Sequence, residues 1–270
     1  MRRHSALTIL LLASSLFGAR AFAAGYTLLA PPRQNPAQER AVYGGIAQFL
    51  TRATGAPIRF HYISNWLTYM AAVHGNAGDI YFDGPALIGW RIAHWHDQVA
   101  VALSGHLKFV LVQKADGRPL TRVRDLVGRS VCAFSPPNLA TLTLDSRFTN
   151  PARQPFIVVI HSLAQAAHNI ISGNCMAALE PLSVYRHQSQ LFPGRLRAPL
   201  KIPGIPNQAF SFNARMPLTL RHKIIAALLS PAGQRATSPL RMMFGDQMLV
   251  RVHDAAYLPY RKMLDVMYGF

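Results

Sequence analysis

Short apolar runs alternate along this chain with longer stretches in which apolar residues recur every three or four positions. Tyr26–Ala30 is the first run, and Pro31-Pro32 closes it. From Pro36 to Thr54 the residues Val42, Ile46, Phe49, Leu50 and Ala53 share one face at helical spacing, and Gly55-Ala56-Pro57 stops the helix. Ile58–Ile63 predicts a second strand. Ser64 or Asn65 then caps a helix that carries Trp66, Met70 and Val73 on its buried side. Further runs at Ile80–Phe82, Val99–Ala102 and Phe109–Val112 complete a β-α-β-α-β order, which predicts a mostly parallel, doubly wound sheet.

The pattern restarts after Lys114-Ala115-Asp116-Gly117-Arg118-Pro119. Leu126–Arg129 leads into a strand around Cys132, Ser135-Pro136-Pro137-Asn138 turns into a helix, and Phe156–Ile160 is the next strand. A helix from Ser162 to Gly173 puts Leu163, Ala166, Ala167, Ile170 and Ile171 inward. A strand to Leu179 follows, Pro203-Gly204-Ile205-Pro206 marks a second crossing, and Leu220, Ile224, Ala227 and Leu228 form a stripe in a helical final third. Two α/β lobes joined by two crossings fit this layout.

The start of the chain has a different logic. Arg2-Arg3-His4, an apolar run from Ala6 to Gly18 and the small-x-small triplet Ala21-Phe22-Ala23 have the form of a signal peptide over residues 1–23. The run is shorter than the ~20 residues a membrane span needs, and no later stretch is apolar enough, so an exported chain without a membrane span is expected. Removing those residues leaves 25 basic against 11 acidic side chains. The basic residues are scattered singly and no aromatic-basic motif accompanies them, which argues for a solvated basic surface or an acidic protein partner and against nucleic acid. Two cysteines, Cys132 and Cys175, stand in or beside predicted strands; in an oxidising compartment they are either a disulfide or two buried thiols.

The most informative stretch is Gly78-Asp79-Ile80-Tyr81-Phe82-Asp83-Gly84-Pro85, a buried strand that ends in an acidic Gly-Pro turn and opens a helix. In open α/β sheets, ligands sit beyond the carboxyl ends of strands, where helices begin. Catalytic signatures are missing: there is no G-x-S-x-G elbow, P-loop, dinucleotide fingerprint or H-E-x-x-H, so a binding protein is expected rather than an enzyme.

Several segments resemble the phosphate/phosphite/phosphonate-type substrate-binding proteins of ABC importers. They are Gly78–Pro85, Phe109–Lys114, Val123–Val131, Gly173–Ala178 and Pro206-Asn207, in that order along nearly the whole chain after residue 23. The resemblance implies a type II periplasmic-binding fold, with 24–112 as the first part of lobe 1, 113–205 as lobe 2, and 206–270 returning to lobe 1 with C-terminal helices. It implies a periplasmic protein that closes on a small ligand, a phosphonate-like or other oxyanion, and serves an ABC permease without a cofactor. Carried over by position, the pocket includes Arg33, Gln34, Trp66, Asp83, His106, Ser135, Asn138, His161 and Glu180. The family's hydroxyl-rich turn falls on Ser135–Leu139, where Pro136 and Pro137 lack N–H donors while Ser135, Asn138 and Thr141 remain polar.

The residues also support a second reading. Asp83, His106, His161 and Glu180 are carboxylates and imidazoles at predicted strand ends, a set suited to copper or another transition metal. On that reading the same fold is a delivery or maturation chaperone for an exported metalloenzyme.

Overall fold

The computed structural model describes residues 25–33, 35–265 and 267; the expected signal peptide and Gln34 lie outside them. The first lobe begins with β1 (Tyr26–Leu29), α1 (Pro36–Thr54), β2 (Ile58–Phe60), α2 (Trp66–His74), β3 (Ile80–Asp83), α3 (Pro85–Trp95) and β4 (Gln98–Leu103). A short β5 (His106–Leu107) leads to the second lobe: β6 (Phe109–Lys114), β7 (Ser130–Ala133), α4 (Leu139–Asp145), β8 (Phe156–Val159), α5 (Leu163–Ser172), β9 (Ala177–Pro181), α6 (Leu182–Leu191) and β10 (Leu196–Lys201). The chain returns through β11 (Ile205–Pro206) to β12 (Ala209–Phe212), α7 (Leu218–Leu229), α8 (Pro231–Ala236), α9 (Ser238–Met242) and β13 (Leu249–Arg251).

Among the described residues the first sheet has the order β13-β4-β12-β3-β1-β2 and the second β10-β6-β9-β7-β8, while β11 and β5 pair between them. Both are mixed sheets. β1 runs parallel to β2 and β3, but the returning β12 slots antiparallel between β3 and β4. In the second sheet β7 is parallel to β8 and β9, and β6 is antiparallel to β9 and β10. The apolar run at Phe109, expected to end the first lobe at residue 112, therefore belongs to the second sheet. The chain crosses at β5.

Local chemistry explains most element boundaries. Asn35 caps α1 by accepting from Gln38 N, and Gly55 ends it at φ 75°, a conformation that glycine adopts without a Cβ clash. The buried face of α1 centres on Tyr43, Ile46, Ala47 and Leu50, so Ala53 turns outward from the predicted stripe. Asn65 rather than Ser64 caps α2, Asn138 caps α4 and Ser162 caps α5. Cys132 and Cys175 form a disulfide that ties β7 to the residues just before β9. Leu142 of α4 is buried in one cluster with Tyr69, Tyr81 and Leu87 of the first lobe, so the lobes touch through apolar side chains.

Candidate functional site

The contact between lobes flanks a cleft with two adjoining compartments. The inner one, about 170 Å³, is lined by Arg33, Gly84, Leu87 and Gln208 from the first lobe and by Asn138 and Leu142 from the second. The outer one, about 370 Å³, is lined by Ser135, Val159 and His161 among others. Trp66, Pro137 and Asn138 border both.

Strand-to-helix turns place these groups. Arg33 follows β1 in the loop before α1, and its Nη2 donates to Gln208 Oε1 at 3.2 Å while the guanidinium lies 5.5 Å from the Phe244 ring centre. Gln208 stands just before β12, against Gly84; a Cβ on Gly84 would meet Gln208 Oε1 at 3.1 Å. Gly84 is also the N-cap of α3 and offers no side-chain acceptor. The first-turn amides of that helix are thus left uncapped beside the inner compartment, where Ala86 and Leu87 line it. Trp66 is the first residue of α2, whose start Asn65 caps by accepting from Thr68 N.

From the second lobe, Asn138 Oδ1 accepts from Ala140 N at 3.0 Å, which leaves the side-chain NH₂ as its donor to a ligand. Asn138 N is already used on Ser135 O, and the Thr141 hydroxyl donates to Phe134 O at 2.6 Å. Thr141 is fully buried and has no role in the cleft. The polar groups of this turn that face the cleft are therefore Ser135 and Asn138. Among the described residues, the cleft lining contains the cation Arg33, helix N-termini and amide side chains, and no carboxylate. Helix N-termini carry partial positive charge, so the arrangement favours an anion.

Five of the residues expected from sequence come together here: Arg33, Trp66, Ser135, Asn138 and His161. Three do not. Asp83 is fully buried, with both oxygens on Arg91 (2.8 and 3.2 Å) and Oδ2 also accepting from the Tyr69 hydroxyl at 2.5 Å. Glu180 is fully buried in the second sheet beneath Gln188, whose Nε2 donates to its Oε1 at 3.4 Å, and burial pushes its carboxyl up to about 7. His106 sits on β5 and lines a separate pocket with Lys108, Arg186 and Asn207. The proposed metal ligands are thus dispersed, and among the described residues no three His, Cys, Asp or Glu side chains group in a metal-holding arrangement.

Sequence reasoning placed Gly84 and Leu139 at the pocket by position but missed Gln208, Leu87 and Leu142. The signal for Asp83 was present, because Arg91 is a lone cation among Leu87, Ile88 and Ile92 on an apolar helix and must bury against an acid. Gln208 adjoins the Pro206-Asn207 pair of the resemblance, but only the antiparallel insertion of β12 brings it to Arg33.

A family model described as "ABC transporter, phosphonate, periplasmic substrate-binding protein" matches residues 28–257. Among curated proteins none matches the chain significantly. Among solved structures, PhnD1 from Prochlorococcus marinus in complex with methylphosphonate aligns with a TM-score of 0.64 at 12% identity, covering 91% of this chain and 98% of that one. A binding protein component of an ABC phosphonate transporter from Pseudomonas aeruginosa aligns at 0.59 and 10% identity, over 88% and 84% of the two chains. XAC2383 from Xanthomonas citri, bound to ATP, aligns at 0.67 and 8% identity, over 90% and 98%. Such low identities establish the two-lobe fold that these proteins share.

Proposed function

Because the chain belongs to the phosphonate family of periplasmic substrate-binding proteins of ABC transporters, we propose that it captures a small oxyanion, phosphonate-like in its head group, between its lobes and presents it to a permease. The observation that carries this reading is the makeup of the inner compartment. Arg33, Gln208 and the uncapped start of α3 come from one lobe and Asn138 from the other, with no carboxylate among them. A ligand that contacts both lobes stabilises the closed arrangement over an open one, and one that touches a single lobe does not.

The protein works by binding alone, and its basic surface adds long-range attraction for anions. Residues 1–23 direct its export as a signal peptide. No helix among the described residues is long and apolar enough to cross a membrane, in keeping with a periplasmic protein. With the expected carboxylates of the metal reading tied up elsewhere, the copper-chaperone alternative loses its ligand set.

A thermal-shift screen of the exported form against methylphosphonate, inorganic phosphate and sulfate tests the proposal. At 100 times its Kd a ligand adds about 2.7 kcal/mol, which raises Tm by roughly 5–10 °C for a chain of this size. A rise with at least one of these oxyanions is expected. No rise with any of them contradicts the reading.

A further inference from the structure

The acids nearest the inner compartment are already committed. Asp83 adjoins Gly84 in sequence, yet it is 0% exposed and held by Arg91 and Tyr69. Glu39 is 1% exposed and its Oε1 accepts the Arg33 backbone N–H at 2.5 Å. Neither lines the cleft, and neither is free to receive a cation. The charge that does line it is positive, from the Arg33 guanidinium and the start of α3, so the features that attract an oxyanion repel an ammonium. The inner compartment is also lined by apolar side chains from both lobes: Leu87 and Trp66 from the first, Leu139 and Leu142 from the second. Leu142 and Leu87 are buried at the lobe contact, and Trp66 and Leu139 are half-buried beside them.

We infer that the site selects oxyanions with an uncharged substituent, alkyl- or arylphosphonates, and discriminates against aminoalkylphosphonates. This rests on the oxyanion reading above. The head group lies at Arg33, Gln208 and the α3 amides, and the substituent lies along the leucines and the Trp66 ring. An alkyl group there gains from burial. An ammonium in the same place loses its water and finds no carboxylate in exchange, an uncompensated cost.

Propylphosphonate and 2-aminoethylphosphonate have nearly the same shape and differ in the terminal methyl or ammonium, so they isolate the effect. Calorimetric titration of the exported form with each, and with methylphosphonate, is expected to show propylphosphonate binding more tightly than the amine by about tenfold or more. Leu139 is the first residue of α4, where a carboxylate suits the helix dipole. It also packs half-buried against two apolar clusters, so the Leu139→Asp variant is first checked for an unchanged circular-dichroism spectrum. That variant is expected to shrink the ratio by about tenfold by giving the ammonium a partner. Equal or tighter binding of the amine by the unaltered protein overturns the inference and leaves the oxyanion reading intact. A ratio unmoved by Leu139→Asp overturns the assignment of the apolar lining. If none of the three phosphonates binds, the phosphonate reading itself fails, and this inference with it.

Discussion

Arg91 grips Asp83 with both terminal nitrogens, at 2.8 and 3.2 Å, inside a core where neither side chain reaches solvent. Its Nε reaches Asp97 Oδ2 at 3.0 Å, its Nη2 also donates to the Ser211 hydroxyl at 2.6 Å, and its guanidinium lies 3.9 Å from the Tyr81 ring centre. The pair therefore joins β3, α3 and β12. It also explains why the acidic turn after β3 contributes Gly84 rather than Asp83 to the cleft.

Breaking this pair is expected to cost stability and spare recognition. Arg91→Met leaves buried carboxylates without their cation, at about 3–5 kcal/mol. A chain of this size then melts roughly 6–20 °C lower. Ligand affinity measured below the melting range is expected to change little, because no atom of the pair lines the cleft. A variant of normal stability that has lost its ligand would place Asp83 at the site instead.

The fold was legible wherever local chemistry decides. A cap at Ser64 or Asn65, the helix start at Ser162, the glycine stops at Gly55 and Gly173, and the bounds of α1 all follow from short-range hydrogen bonds and backbone preference. The cap role of Asn138 was not read. Non-local pairing was not legible. Phe109–Val112 is an apolar run that suits either sheet, and only its registry with β9 and β10 decides which one. The site followed the same rule. Arg33, Trp66, Ser135, Asn138 and His161 were found because turns after strands face the cleft. Asp83 was misplaced although the lone Arg91 on an apolar helix signalled a buried acid partner. Glu180 was misplaced because sequence gives a strand end without saying which way its side chain turns, or that Gln188 lies beside it.

The disulfide predicts a redox-dependent stability. Cys132 and Cys175 are 43 residues apart, and closing such a loop contributes about 4 kcal/mol on the chain-entropy model. Calorimetry of the double variant Cys132→Ala, Cys175→Ala is expected to give a Tm roughly 8–16 °C lower. An unchanged Tm would remove the bridge from the account of stability.

Three buried carboxyls push stability the same way with pH. Asp97 is one of them, raised by burial to about 6 despite its bond to Arg91. Burial holds Glu180 at about 7, against a weaker opposing hydrogen bond from Gln188, and holds Asp145 at about 6. In the unfolded chain such groups titrate near ~4. Between those values the folded protein keeps protons that the unfolded chain has lost, so stability falls as pH rises from about 4 to about 7 and then levels off. Glu180→Gln is expected to raise unfolding free energy by roughly 2–3 kcal/mol at pH 8 and to leave it unchanged at pH 4. Urea midpoints at the two pH values measure this, and a pH-independent effect would contradict it.

The central claim is that one oxyanion is held by groups from both lobes. Titration calorimetry with methylphosphonate on the unaltered protein, Arg33→Ala and Asn138→Ala tests it most directly, one variant for each lobe. Each is expected to weaken binding by about tenfold or more, since each removes a donor to a charged ligand, and to leave Tm without ligand within a few degrees. Unchanged affinity in either variant would mean that the anion is not gripped across the cleft.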